Sequence, residues 1–159
     1  MKSFVREATT FCRLIEEHRQ LSRKKFLSRI SVVLPRIYAW ACELPQTGSK
    51  GKYPLSRVTR KKWNACFESL MRKLGPYDKY WDCFNPYVED ELVARSLADD
   101  LADIYGDLKP GLVALVSGEK GATQAALWEW RLLFDSHWAH HATGALRAVQ
   151  QLASECRLI

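Results

Sequence analysis

The chain has 159 residues, of which 47% are apolar and 26% charged, a composition and length that predict one globular domain over residues 1–159. The longest apolar runs are too short to span a bilayer, and the N-terminus lacks the apolar core of a secretory signal, so we expect no membrane contact and a cytoplasmic location. The net charge of +6 divides unevenly, with 18 basic and 6 acidic residues in 1–80 but 6 basic and 12 acidic residues in 81–159.

Apolar residues at helical spacing predict an all-α fold, a bundle of five to six helices. The first helix is expected over about residues 3–19. The second follows Ser22 as its N-cap, and Pro35 should kink or split it. Residues 45–56 combine Gly, Ser, Pro and Lys without periodicity, which predicts a mobile basic loop. A third helix is expected over about residues 57–74.

The second half of the chain continues the helical pattern. Residues 77–84 are predicted as a short aromatic helix, and residues 87–95 as a turn or loop. Ser96 should cap an acidic helix that reaches about residue 117 and bends at Pro110. Thr123 should cap the last and longest helix, which runs to about residue 154. Because that helix is apolar on two sides, it is either central to the bundle or half in a subunit interface, and we favour a largely buried, central helix.

The acidic helix carries four aspartates on one side. Asp99, Asp100, Asp103 and Asp107 fall within one arc of about 100°, opposite an apolar stripe. The favoured interpretation is the solvated face of an amphipathic helix.

Two histidines on the last helix suggest an alternative. His137 and His141 lie one turn apart, and Asp100 and Asp107 flank the apolar stripe of the acidic helix, so these four residues are candidates for a metal-dependent helical-bundle enzyme. The full Glu-x-x-His signature of such bundles is absent. We therefore favour buried, neutral, hydrogen-bonded rings at 137 and 141, a solvent-facing His140, no cofactor and no metal.

Catalysis by a nucleophile has little support. No nucleophile turn or glycine-rich phosphate loop is found, so no catalytic residue is predicted. The five cysteines are scattered and form no C-x-x-C pair, which argues against disulfides and a zinc knuckle.

Aromatic side chains cluster beside the chain breakers in the middle of the sequence. Clusters of this kind serve as anchors in protein interfaces. We therefore predict a protein-binding or scaffolding module whose partner is another protein or a second copy of the chain. The candidate contact residues are Tyr77, Tyr80, Trp81, Phe84, Tyr87, Asp99 and Asp103.

Nucleic-acid binding through the basic half is a further alternative. Basic side chains lie opposite the apolar rows of the second and third helices, where they could contact phosphates. No recognition helix or base-stacking motif accompanies them, so this alternative is not favoured. The candidates are Lys25, Arg29, Arg36, Lys61, Lys62, Arg72 and Lys73.

Several sequence blocks together carry a family resemblance. They are LPRIY at 34–38 with LP at 44–45, YWDCFNP at 80–86, SLADDLADIY at 96–105, and LWEW at 127–130 with HW at 137–138 and ALRA at 145–148. With these blocks the chain resembles a bacterial family called domain of unknown function 5063. The resemblance implies an all-helical bacterial protein and brings no reaction, cofactor or partner. The His140–His141 pair is not part of it.

Overall fold

The computed structural model describes residues 1–49, 51–83, 85, 87–89 and 91–155. These residues are mostly helical, which confirms the predicted helical bundle. The helices are α1 (Lys2–Glu16), α2 (Arg23–Cys42), α3 (Arg60–Leu74), α4 (Leu97–Ser117), α5 (Ala122–Leu133) and α6 (Ala139–Ser154), with short 3-10 turns at His18–Gln20 and Gly75–Tyr77. No helix in these ranges is long and apolar enough to cross a membrane.

Side-chain caps set the start of three helices. The hydroxyls of Ser22 and Ser96 accept hydrogen bonds from the third backbone N–H of α2 and α4, as predicted. Thr59 does the same for α3, so this helix begins three residues later than predicted. Residues 45–49 and 51–56, which were predicted as a loop, form neither helix nor strand.

Both internal prolines lie within continuous helices. The predicted division of α2 at Pro35 is wrong, since the helix runs unbroken from Arg23 to Cys42. A proline removes one backbone hydrogen bond, and the complete burial of Leu34 and Ile37 on either side compensates for that loss. Pro110 likewise lies inside α4.

The central element is α4. It packs against α1, α3, α5 and α6, and its apolar residues Leu101, Ile104 and Leu108 are fully buried. The last helix packs against the same core along one side, but its predicted second buried face is partly exposed, with Leu132 at 45%. The long C-terminal helix is thus packed against the core, as predicted, and it shares this core with α4.

A small antiparallel hairpin replaces the predicted aromatic helix. Strands β1 (Lys79–Asp82) and β2 (Val93–Ser96) pair with Tyr80 opposite Arg95. The buried carboxylate of Asp78 accepts hydrogen bonds from the hydroxyl of Ser96 and the backbone N–H of Ala98, which joins the hairpin to the start of α4. The predicted helix over residues 77–84 is wrong. A strand of four residues is too short to show an alternating pattern, and its partner β2 lies in a segment with neither helical nor strand periodicity.

The last predicted helix contains a π-helical segment. Helix α5 begins after Gly121, whose φ is 85°, so Thr123 is not the cap. Residues Phe134–Trp138 form π turns between α5 and α6. A π turn holds more residues than an α turn and shifts the faces of everything that follows. Side chains after Phe134 therefore point in other directions than a regular helix predicts.

Candidate metal centre

The acidic face of α4 is covered by protein and is not the solvated face that we predicted. Asp100 is fully buried, while Asp99, Asp103 and Asp107 are partly buried. The π segment and the start of α6 lie against this face and bring two imidazoles onto it. The correction follows from tertiary packing, since helical spacing alone shows which residues share a face but not what covers it.

Each imidazole is oriented by a carboxylate of α4. The Nδ1 atom of His137 lies 2.6 Å from Oδ2 of Asp107, and Nδ1 of His141 lies 2.8 Å from Oδ1 of Asp100. Because an ionised carboxylate only accepts hydrogen bonds, both contacts favour the tautomer with the proton on Nδ1. At His141 this contact is shorter than the 3.3 Å between Nδ1 and the guanidinium of Arg95, which can only donate. In the neutral imidazole, Nε2 then keeps its lone pair and is free to bind a metal ion.

Both Nε2 atoms face a third carboxylate. Oδ2 of Asp103 lies 3.5 Å from Nε2 of His141 and 3.9 Å from Nε2 of His137. Within the described part of the chain, these three residues form a group whose ligand atoms all lie within 4.8 Å of one another. Ligand atoms about 2.1 Å from a tetrahedral ion lie about 3.4 Å apart, so the spacing fits an ion at the centre.

The other oxygen of Asp103 is also held. Nε1 of Trp63 donates to Oδ1 of Asp103 over 2.7 Å. The indole stacks on Phe67, with 5.4 Å between ring centroids, and the guanidinium of Arg60 lies 5.1 Å from the indole centroid. A rigid side chain of α3 therefore fixes the carboxylate that faces the two imidazoles.

The buried carboxylate of Asp100 takes part in several hydrogen bonds next to this group. Besides His141, it accepts from the hydroxyl of Tyr80 over 2.6 Å and from the guanidinium of Arg95 over 2.7 Å. Burial and the charge of Asp100 raise the pKa of the Tyr80 hydroxyl. Burial alone would lower the pKa of His141, but the hydrogen bond and the charge of Asp100 outweigh it and raise this pKa.

A second possible ligand group shares His141. It consists of Asp99, Asp100 and His141. Both oxygens of Asp100 already accept hydrogen bonds, and the cationic Arg95 lies beside it. Burial and the neighbouring carboxylates of Asp103 and Asp100 raise the pKa of Asp99, and burial likewise raises the pKa of Asp107 against the opposing hydrogen bond and charge of His137. The group around Asp103 is the better cation site because Asp100 is already occupied by hydrogen bonds and paired with Arg95.

The predictions for the histidines need correction. His140 is exposed, as predicted. His137, predicted to be buried, has a side chain that is 42% exposed, because the π turns rotate it out of the arc of Trp130 and Phe134. The side chain of His141 is 13% exposed, but its pKa is raised, whereas we predicted that burial would lower it. The nearby charge of Asp100 is the reason.

A cavity of about 300 Å³ opens beside Asp103 and Asp107. The start of α3 and the chain before it form one wall, and α4 and α5 form the others. The sequence pattern pointed to Asp103 and Asp107 but to neither Trp63 nor Glu129, which also line this cavity. The remaining lining residues are Arg57, Val58, Arg60, Gly106, Pro110 and Leu133.

The predicted partner-binding aromatics do not form one surface. Tyr80 is partly buried and bonded to Asp100, and Tyr77 is partly buried with Arg23 over its ring. Trp81 and Tyr87 are 63% and 94% exposed. Phe84 lies outside the described residues. Asp99 and Asp103, also predicted as partner contacts, belong to the acidic face that the histidines cover.

The predicted basic residues lie on the outer sides of α2 and α3. Six are exposed, namely Lys25, Arg29, Arg36, Lys61, Lys62 and Arg72. Arg72 pairs with Glu68 at the surface over 3.9 Å. Lys73 is partly buried and donates to the backbone carbonyl of Leu21.

Comparison with known proteins shows a family and a similar solved structure. The sequence profile of a family described as domain of unknown function (DUF5063) matches residues 1–155. The chain is similar to the crystal structure of protein BF1032 from Bacteroides fragilis, with 24% sequence identity, a TM-score of 0.83, and coverage of 94% of this chain and 89% of that one. Such a likeness shows a shared fold. The curated proteins give no match.

Proposed function

The chain belongs to the DUF5063 family, in agreement with the resemblance of its sequence blocks, and we propose that it is a metalloprotein that binds one divalent transition-metal ion through His137, His141 and Asp103. The proposal exchanges the roles that the sequence analysis considered for the aspartates of α4. Asp103, first taken as a partner contact, becomes a ligand. Asp100 and Asp107, first taken as ligands, become the residues that orient the imidazoles.

One observation carries the proposal. Two imidazoles have their Nδ1 atoms bonded to separate carboxylates while their Nε2 atoms face a shared third carboxylate. Histidines that bind metal ions generally donate their other ring N–H to a carboxylate or carbonyl, which fixes the tautomer and strengthens the ligand. Asp100, Asp107 and Trp63 supply such partners for all three proposed ligands.

The ligand set also indicates which ions fit. Two imidazoles and one carboxylate suit Zn²⁺ and Fe²⁺, whereas Mg²⁺ and Ca²⁺ prefer oxygen ligands. Three protein ligands leave coordination positions open for water or substrate, which is typical of catalytic sites and not of structural ones. A bound ion would lower the pKa of such a water and polarise a substrate oxygen. We therefore favour a metal-dependent enzyme over a purely structural metal protein.

Metal binding to the untagged protein tests the proposal. The chelator-treated chain is titrated with Co²⁺, whose visible absorption reports its ligands, and Zn²⁺ is then used as a competitor. We expect one ion per chain. His137→Gln and Asp103→Asn should each abolish the absorption band.

His140→Gln is the matched control, because this exposed imidazole is a sequence neighbour of His141 but lies outside the ligand group. It should bind Co²⁺ like the wild type. The proposal is wrong if the wild type binds no ion, or if His140→Gln loses binding as fully as His137→Gln does.

A protein partner remains a second candidate function because of the hairpin. Trp81 on β1, and Tyr87 and Leu92 between the two strands, expose between 61% and 94% of their surface, and exposed large apolar side chains are typical of interaction sites. Sedimentation equilibrium of the wild type and of Trp81→Ser tests for self-association through this region. A monomeric wild type at tens of micromolar would rule out a second copy as the partner.

A further inference from the structure

We propose that the cavity beside the metal centre binds the phosphate group of a small organic phosphate, with Arg57 and Arg60 as its recognition residues. The inference rests on the proposed function and names the substrate class of that site. Asp103 connects the two, since it is both a proposed metal ligand and part of the cavity wall.

Two guanidinium groups line the cavity together with Asp103, one of the proposed ligands. Arg57 donates to the buried carboxylate of Glu129 over 3.0 Å, although 74% of its own side chain is exposed. Arg60 lies over the indole of Trp63, whose N–H holds Asp103. Arginine suits phosphate because its planar group donates two parallel hydrogen bonds.

The charges of the lining make phosphate binding dependent on the metal ion. The cavity has three carboxylates, Asp103, Asp107 and Glu129, against the two arginines. Without a metal ion the lining is therefore one unit negative and repels an anion. A dication bound at Asp103 changes this balance to one unit positive and adds a direct ligand for a phosphate oxygen.

The volume of the cavity and its apolar lining residues indicate the organic part of the ligand. A volume of about 300 Å³ is at the lower end of ligand-binding cavities, so the cavity suits a molecule of sugar-phosphate size. Val58, Pro110 and Leu133 supply apolar surface to the same cavity. A tetrahedral oxyanion can contact the ion and both guanidinium groups through different oxygens, which a planar carboxylate cannot do equally well.

Calorimetry with the full chain tests the inference after the metal content has been measured. Inorganic phosphate, glycerol 3-phosphate and acetate are titrated separately into the Co²⁺-loaded and the metal-free protein. We expect both phosphates to bind only the loaded protein, glycerol 3-phosphate at least as tightly as inorganic phosphate, and acetate more weakly.

The variants Arg57→Gln and Arg60→Gln should each weaken phosphate binding by about tenfold or more, since each removes a charged hydrogen-bond donor. Arg57→Lys keeps the charge beside Glu129 and serves as the folded variant if Arg57→Gln does not fold. It should retain part of the affinity. Lys79→Gln removes a cation from a neighbouring cavity lined by Arg95 and His140, and should leave binding unchanged.

The outcomes separate the two proposals. If the chain binds Co²⁺ but no phosphate, or if Lys79→Gln weakens phosphate binding as much as the arginine variants do, this inference is wrong and the metal site stands. Phosphate binding of equal strength without the metal ion also overturns it. If no metal ion binds, both proposals fail.

Discussion

Trp63 on α3 and Asp103 on α4 are joined by a hydrogen bond of 2.7 Å from the indole N–H to Oδ1. The bond occupies one oxygen of the carboxylate and leaves Oδ2 facing the Nε2 atoms of His137 and His141. A side chain 40 residues earlier in the chain therefore orients the proposed ligand. Replacing Trp63 therefore tests the metal centre without changing any of its proposed ligands.

Trp63→Phe should lower metal affinity while leaving the fold intact. Phenylalanine keeps an aromatic ring over Phe67 but cannot donate to Asp103. Loss of an outer partner of this kind costs about 10- to 100-fold in metal affinity. Competition between Co²⁺ and a chelator of known affinity measures the change. Trp40→Phe, on α2, is the control, and equal affinities of the two variants would contradict the prediction.

Bound metal should also stabilise the protein against heat. A ligand at 100 times its Kd stabilises the native state by about 2.7 kcal/mol, which for a chain of this size raises the melting temperature by about 5–10 °C. Differential scanning calorimetry with Zn²⁺ and then with a chelator measures this shift. His140→Gln should show the shift and His137→Gln should not. A shift of equal size in both would place the ion elsewhere.

Asp100→Asn should be the most destabilising change on the acidic face. Its side chain is 1% exposed and pairs with Arg95, which is 18% exposed. Removing one partner of such a pair leaves the other charge buried, at a cost of about 3 kcal/mol. Asp99→Asn is the control: burial and the carboxylates of Asp103 and Asp100 raise the pKa of Asp99, so a neutral amide fits, and the change should be within about 0.5 kcal/mol. Urea denaturation compares the two, and equal losses would disprove the assignment.

The helical bundle was predictable because its signals are local. The hydroxyls of Ser22 and Ser96 cap helices through backbone N–H groups three residues away, so a short sequence window contains the complete interaction. The hairpin was not predictable in this way. Its strands pair residues such as Tyr80 and Arg95 across an intervening segment, and neither strand is long enough to show alternation.

The candidate site could be predicted only in part, because the contacts between its side chains join residues that are far apart in the sequence. Regular spacing along α4 placed Asp99, Asp100, Asp103 and Asp107 on one side, and the spacing of His137 and His141 suggested two rings on adjacent turns. Which carboxylate each ring meets depends on the π turns at 134–138 and on the packing of two helices. A regular helix of 100° per residue could not show that Asp103 lies between the two Nε2 atoms.

The cysteines should differ sharply in reactivity. Burial raises the pKa of the Cys12 thiol to about 12 and that of Cys66 to about 11, so very little reactive thiolate is present at neutral pH. Cys42 is exposed. Iodoacetamide at pH 7.5 should modify Cys42 long before Cys12, as peptide mass spectrometry over time would show. Early modification of Cys12 would mean that the packing of α1 opens easily.

Two glycines of α4 should respond to alanine in opposite directions. A Cβ atom at Gly111 would overlap the indole of Trp130, which is fully buried and donates to the carbonyl of Leu108, so nothing nearby can move aside. Gly111→Ala should therefore destabilise the protein by about 1–3 kcal/mol or more. At Gly106 the same atom would lie 3.6 Å from Trp63, an ordinary contact. Gly106→Ala should stabilise by up to about 1 kcal/mol, because alanine has the higher helix propensity. Urea denaturation of both variants measures the difference, and a stabilising Gly111→Ala would mean that α4 and α5 pack less closely than described.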